Sequence, residues 1–254
     1  MRPAHVTPIL LVVHGSRDPR AARATRALVR AVAAARPGVD VRASYLDHTL
    51  PRPGQVLAAL EAAGHERVTL VPLLLTSAYH GRVDVPEMVR AARAAGLRVP
   101  VDVTDVLGPP AGAPVDDLLL TGLRRRLAEA GSGFDAVVLA AAGTRDAAAR
   151  QTVVSAAAAL GAYLGAPARV AYASAAPPTG AEAVAELRAA GARRIGVAAY
   201  FLAPGLLYDT VVDSALEAGA VAAAKPLEGA IELARLVLAR ADAAALPASA
   251  AAAA

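Results

Sequence analysis

The chain has 254 residues, no cysteine, a formal net charge of +4 and 56% hydrophobic residues. The lack of cysteine excludes disulfides and thiolate metal sites, so any metal ligand must be a nitrogen or oxygen atom. No apolar run approaches the ~20 residues of a membrane span, and the N-terminal apolar run of about five residues is too short for the ~7–15-residue core of a signal peptide. Aromatic residues that could stack on bases are scarce. We therefore expect a cytoplasmic protein with neither a membrane nor a nucleic acid as partner.

Strand and helix patterns alternate along the chain. Ile9–Val13 is a short apolar run typical of a buried parallel strand, and it ends abruptly at His14 and Gly15. Asp18 and Pro19 then have the features of an N-cap and a first helical residue. The same criteria predict strands at 39–46, 67–75 and 99–107, helices at 19–35, 53–63, 84–95 and 114–130, and a linker at 131–133.

The second half of the chain repeats the first. Gly15 aligns with Gly143, and the segment 60–64 aligns with 187–191, which also aligns Tyr45 with Tyr172. Right-handed crossovers between successive strands make each sheet parallel. The predicted fold class is α/β, with two tandem similar domains, each a four-stranded parallel sheet flanked by helices. The expected domains are 6–130, carrying the active site, and 135–242, a degenerate repeat, followed by a disordered alanine-rich tail at 243–254.

The two copies differ at three positions that follow predicted strands. His14 aligns with Ala142, Asp47 with Ser174, and His80 with Leu207, give or take one position. Scaffold residues should persist in both copies, whereas chemistry can be kept in only one. Because the carboxyl ends of parallel strands meet at one edge, the three residues of the first copy should converge there. Two imidazoles and a carboxylate suit a first-row divalent metal.

Other candidate residues and motifs have less support in the sequence. His48 either assists Asp47 or lies on the surface, and the surface position is the favoured interpretation. Glu87 lies in the first turn of a predicted helix, where a carboxylate is electrostatically favourable, so it needs no other function. The sequence contains neither a phosphate-binding P-loop nor a Gly-x-Ser-x-Gly nucleophile elbow. Val13 stands where a histidine phosphatase would carry arginine before its His-Gly pair.

The segments 14–19 and 72–86, His-Gly-Ser-Arg-Asp-Pro and Pro-Leu-Leu-Leu-Thr-Ser-Ala-Tyr-His-Gly-Arg-Val-Asp-Val-Pro, closely resemble the class II chelatases of the sirohydrochlorin type. The resemblance covers nearly the whole chain, including the duplication. It implies ATP-independent insertion of Fe²⁺ or Co²⁺ into sirohydrochlorin, in sirohaem or cobalamin biosynthesis. The metal is then a substrate rather than a permanently bound cofactor. A fused pseudo-dimer of this kind is expected to be a monomer.

The resemblance also assigns roles to residues. His14 and His80 match the two histidines that act in catalysis and hold the metal, and Asp47 stands at the acidic position, usually glutamate, one methylene shorter. The tetrapyrrole substrate carries many carboxylates, which favours nearby cationic and hydroxyl side chains as its ligands. These substrate-binding candidates are Arg17, Arg52, Arg82, Ser77 and Tyr79. Arg17 has a counterpart in Arg145, so a structural role stays open for it. The alternative function is a non-catalytic carrier of metal or tetrapyrrole.

Overall fold

The computed structural model describes residues 6–76 and 84–245, along which strands and helices alternate. In chain order they are β1 (Ile9–Val13), α1 (Pro19–Ala35), β2 (Val41–Tyr45), α2 (Pro53–Ala62), β3 (Val68–Pro72), α3 (Val85–Ala94), β4 (Val101–Val103), α4 (Asp117–Ala130), β5 (Ala136–Ala141), α5 (Ala147–Leu164), β6 (Ala168–Tyr172), α6 (Gly180–Ala189), β7 (Ile195–Ala199), α7 (Leu206–Glu217), β8 (Ala222–Ala223) and α8 (Ile231–Ala245).

The strands form two four-stranded sheets with the same order. The first sheet is ordered β2-β1-β3-β4 and the second β6-β5-β7-β8, and every pairing is parallel. The register also repeats, because Val13 pairs with Tyr45 in one sheet and Ala141 with Tyr172 in the other. The predicted α/β fold of two similar halves is therefore confirmed, and so is the alignment of the two tyrosines.

Both faces of the first sheet are buried. Ile9 and Leu11 belong to a large apolar cluster that also contains residues of the second half, whereas Leu10 and Val12 pack in a separate cluster with residues of α2 and α3. This alternation follows from the two-residue period of a strand. The second sheet has its own outer cluster, formed with α6 and α7. The inner layer, which includes α1, α4, α5 and α8, is thus one hydrophobic core shared by the two halves.

The last helix of each half is exchanged, in that it packs against the other half. α4 contacts β7 and β8, while α8 contacts α1, β3 and β4, and the two helices also contact each other. The sequence boundary near residue 133 is therefore not a packing boundary. The shared core gives the two sheets a fixed relative position, which matters for any site between them.

The last helix, α8, extends into the segment that was predicted to be a disordered tail. Residues 243–245 are the last residues of this helix rather than the start of a disordered segment. Alanine is the best helix former, and Asp242 anchors the preceding turn through an ion pair with Arg36 at 2.6 Å. Residues 246–254 lie outside the described part of the chain.

Local signals for the first helix of each half are confirmed. The Asp18 carboxylate accepts a hydrogen bond from the Arg20 backbone N–H at 2.8 Å, and Asp146 accepts one from Ala149 at 3.1 Å. These are the N-caps of α1 and α5. β4 is shorter than predicted, because it pairs only with β3 and the chain then turns towards Leu74, whose carbonyl accepts from Leu107 at 2.9 Å. Within the described residues, no helix is both long and apolar enough to cross a bilayer.

The contact between the exchanged helices α4 and α8 gives a testable stability effect. Arg125 donates to both carboxylate oxygens of Glu232, at 2.8 and 2.9 Å, and these bonds lower the pKa of Glu232. The stabilisation is therefore present above the ordinary glutamate pKa and lost as pH falls through the lowered value. We expect Glu232→Gln to reduce the free energy of unfolding at pH 7 by about 1–3 kcal/mol.

Urea unfolding at pH 7 and at about pH 3 checks this expectation, because the difference from wild type should shrink in acid. Glu186→Gln is the control, since the Glu186–Arg169 pair is exposed and 3.6 Å long. It should change the unfolding free energy by less than about 0.5 kcal/mol. A Glu232→Gln effect of the same size at both pH values would rule out the ion pair as its cause.

Candidate active site

Two of the predicted site residues meet at the carboxyl edge of the first sheet. His14 directly follows β1, and Asp47 lies two residues beyond β2. The Asp47 backbone N–H donates to the His14 carbonyl oxygen at 2.7 Å. Gly15 makes this approach possible: its φ is +99°, and a Cβ there would lie 1.9 Å from the Asp47 carbonyl oxygen. The backbone thus fixes the spacing of His14 and Asp47.

The second half builds the same backbone without the same side chains. Gly143 has φ +89°, and a Cβ on it would lie 1.9 Å from the Ser174 carbonyl oxygen. His48 and Ala175, which also align, both have positive φ, at 58° and 67°. In the second half the Ser174 hydroxyl simply donates to the Ala142 carbonyl at 3.1 Å. The loop geometry therefore belongs to the fold, while His14 and Asp47 are particular to the first copy.

Asp47 is an exposed carboxylate in a cationic environment. The His48 backbone N–H donates to its Oδ1 at 2.7 Å, and the Arg52 Nη2 lies 3.8 Å from the same oxygen. The hydrogen bond from His48, together with the charges of His48, Arg52 and His14, holds the pKa of Asp47 below its ordinary value. Asp47 is consequently ionised at neutral pH and can interact with a cation without first losing a proton.

His48 lies closer to this pair than the favoured interpretation of the sequence implied. It is exposed, but its Nε2 is 3.5 Å from Asp47 Oδ2, and its ring lies edge-on to the His14 ring with centroids 6.4 Å apart. Its position immediately after Asp47 is the only sequence signal that could have identified it. A second imidazole therefore accompanies His14 and Asp47 at this edge.

Two cavities meet at His14. A cleft of about 430 Å³ lies between the halves, and the described residues that line it include no Asp, Glu, Lys or Arg. A groove of about 740 Å³ also has His14 in its lining. The groove is lined by charged side chains together with small and apolar residues, the charged ones being Asp47, Arg52, Asp84 and Glu87. His14 thus borders both a cleft whose described lining is uncharged and a groove that bears carboxylates. Glu87, for which the sequence required no function, lines the groove.

The arginine candidates are placed differently from one another. Arg52 lines the groove, and its Nη1 donates to the Leu46 carbonyl at 2.6 Å, so its guanidinium already helps to hold the Asp47 loop. Arg17 is exposed in the loop between β1 and α1 and lines neither of these two cavities.

Four further candidates, Ser77, Tyr79, His80 and Arg82, lie outside the described residues. Within residues 6–76 and 84–245, no group of three or more His, Asp or Glu residues is placed to hold a metal ion. The described chain therefore supplies His14 and Asp47 as a pair, and not a complete set of ligands.

Contacts between the halves fix the walls of the cleft. Tyr200, at the end of β7, is buried and donates to the Leu75 carbonyl at 3.1 Å, and this burial raises its pKa. Arg20 at the start of α1 forms ion pairs with its neighbour Asp18 at 2.6 Å and with Asp209 of α7 at 2.5 Å. The Tyr200–Leu75 and Arg20–Asp209 contacts could not be predicted from the sequence, because each joins residues more than 120 positions apart.

The fold and the sequence both have known relatives. SirB from Bacillus subtilis, solved with Fe³⁺, superposes with a TM-score of 0.81 at 20% identity, covering 96% of this chain and 97% of that one. A sirohydrochlorin chelatase SirB from Bacillus subtilis subspecies spizizenii, in complex with cobalt, gives a TM-score of 0.76 at 18% identity, covering 94% and 95%. At these identities the likeness is one of fold.

One known protein is also similar to this chain in sequence. A sirohydrochlorin cobaltochelatase of Methanococcoides burtonii is 29% identical over 82 residues, which are 32% of this chain and 63% of that protein. The CbiX family model matches the chain twice, at residues 8–130 and 136–244. These two matches coincide with the two copies of the fold, and together they cover most of the sequence. The chain therefore belongs to the CbiX family, as a form that carries two copies of the family's fold.

Proposed function

We propose that this protein inserts a divalent metal, Fe²⁺ or Co²⁺, into sirohydrochlorin without ATP. Membership of the CbiX family and the resemblance to a sirohydrochlorin cobaltochelatase support the reaction class. The observation that carries the proposal is that His14 borders both a cleft whose described lining is uncharged and a groove with carboxylates. Such a position suits a reaction that joins an organic ring to a cation.

The proposed chemistry needs a proton acceptor and a metal ligand at one place. Insertion releases the protons of two pyrrole N–H groups and replaces the metal's ligands stepwise by ring nitrogens. A neutral imidazole can accept a proton or bind the metal, although one nitrogen cannot do both at once. His14 borders both cavities and is the proposed base or ligand, and the ionised Asp47 is the proposed anionic ligand of the incoming metal.

Other roles in the proposal come from the family resemblance. His80 is the proposed second imidazole, and Ser77, Tyr79 and Arg82 are proposed substrate ligands. Arg17 and Arg52 are also proposed to bind carboxylate arms of the substrate. Arg52 lines the groove, where its guanidinium also contacts Asp47 and the Leu46 carbonyl, whereas Arg17 is exposed in the loop after His14. The two halves are proposed to correspond to the units 6–130 and 135–242, joined by the exchanged helices, in a cytoplasmic monomer. The choice between iron and cobalt depends on metal supply, because this ligand set does not favour one strongly.

Turnover distinguishes the proposed enzyme from a carrier. Sirohydrochlorin and Co²⁺ or Fe²⁺, both in excess over the protein, are mixed anaerobically with the protein. The absorbance change of the macrocycle is then followed with time. We expect many equivalents of metallated product per protein and a rate proportional to protein concentration. Conversion that stops at one equivalent would instead identify a metal or tetrapyrrole carrier.

A further inference from the structure

The first turn of α7 presents two leucines to solvent at the edge of the cleft. Leu206 is 78% exposed and Leu207 is 43% exposed, and both line the 430 Å³ cavity. Exposed apolar side chains are common singly, but adjacent ones in a concave site are typical of ligand contacts. These leucines belong to the second half, and the cleft that they line also has His14 of the first half in its lining.

The next two residues of this turn, Tyr208 and Asp209, make structural contacts, whereas the two leucines line the cleft. The Tyr208 hydroxyl donates to the Ala224 carbonyl at 2.9 Å, and its ring packs edge-on against Phe201 with centroids 5.7 Å apart. Asp209 is held by Arg20 of the first half at 2.5 Å. The turn is therefore anchored to both halves, and Leu206 and Leu207 are held in place by it.

The cleft suits a flat apolar ring better than a charged group. Within the described lining, the ionisable side chains are His14 and the tyrosines. Burying an unpaired carboxylate in such a lining would cost several kcal/mol, whereas burying apolar ring surface is favourable. A ligand with a planar apolar centre and charged arms would place its centre in the cleft and leave its arms at the rim.

We infer that Leu206 and Leu207 form an apolar wall that contacts one face of the tetrapyrrole macrocycle and holds its opposite face towards His14. This inference rests on the proposed function and adds a role for the second half. The degenerate copy then supplies a ring-binding surface, with Leu207 at the position that aligns with His80 in the first copy. The metal reaches His14 from the groove that contains Asp47, which Leu206 and Leu207 do not line.

The test separates binding of the ring from binding of the metal. In the double variant L206Q/L207Q, glutamine keeps the length and helix propensity of the side chains but removes their apolar surface. We expect the Kd for metal-free sirohydrochlorin, measured by its fluorescence change, to rise by roughly 10–100-fold. The affinity for Co²⁺ alone, measured by calorimetry, should stay within about twofold, because the metal groove is untouched.

Leu216→Gln is the matched control, since Leu216 is on the same helix, is 39% exposed and does not line the cleft. It should bind the macrocycle as wild type does. The single variants L206Q and L207Q are measured in parallel, so that a double variant that fails to fold still leaves a result.

Three outcomes would overturn the inference. Wild-type macrocycle affinity in the folded L206Q/L207Q variant would show that the leucines do not contact the ring, while leaving the proposed function intact. A dimeric wild type that the variant converts to monomer, with unchanged macrocycle affinity, would assign the leucines to self-association. A wild-type protein that binds no sirohydrochlorin at all would overturn the proposed function itself, and the wall with it.

Discussion

Replacing His14 by alanine is expected to lower the rate of metal insertion by roughly 10²-fold or more, whether His14 is the base or a metal ligand. His14 is exposed and follows its strand, so its loss removes little packing. The melting temperature should therefore stay close to that of wild type. Anaerobic initial rates with Co²⁺, together with thermal unfolding of the same samples, provide the measurement.

His65→Ala is the control for this substitution. His65 follows α2, lies 3.7 Å from Asp40, and lines neither the cleft nor the groove. Its replacement should leave the insertion rate unchanged. If His14→Ala kept more than about a tenth of the wild-type rate, His14 would be neither base nor essential ligand.

A second large effect is expected for Gly15→Ala, which would place a Cβ 1.9 Å from the Asp47 carbonyl oxygen on a residue with φ +99°. The loop must move, and the unfolding free energy should fall by about 2–4 kcal/mol. Because Asp47 moves with its carbonyl, the insertion rate per folded molecule should also fall, by about 10–100-fold. Urea unfolding and rates measured below the melting transition give the two numbers.

The internal repeat supplies a matched control. Gly143→Ala creates the same 1.9 Å conflict, with the Ser174 carbonyl oxygen, and a similar left-handed strain. It should destabilise the protein to a similar degree. Because Gly143 lines the same cleft as Gly15 but approaches Ser174 instead of Asp47, it should lower the rate per folded molecule less than Gly15→Ala does. Equal losses of rate in both variants would mean that Asp47 has no special part in the reaction.

Several features of the site could be predicted because their causes are local. The apolar run of β1, the N-cap at Asp18 and the glycine after each first strand are short-range signals, and each is found in the structure. The repeat added a comparison within one chain, which singled out His14 and Asp47 as residues absent from the second copy. Their proximity followed from the topology of a parallel sheet, since strand ends that neighbour each other must share an edge.

Contacts between distant segments could not be predicted in this way. His48 is exposed, as the sequence indicated, but its ring also lies near Asp47 and His14. That proximity could not be predicted, because it depends on the conformation of the loop, in which His48 has φ 58°. The charged lining of the groove, including Glu87, depends on how α3 packs beside the β2–α2 loop. Neither arrangement leaves a periodic pattern in the sequence.

The sequence by itself determined the duplicated α/β fold, the strand ends that carry His14 and Asp47, and the family, because periodicity, caps and motifs are encoded by neighbouring residues. Only the tertiary structure decided that α4 and α8 exchange between the halves and that one core joins the two sheets. It also decided that His14 borders two cavities, a cleft without charged side chains among its described lining residues and a groove with carboxylates. These features depend on packing between segments far apart in the chain, where burial of apolar surface, and not local propensity, selects the partner.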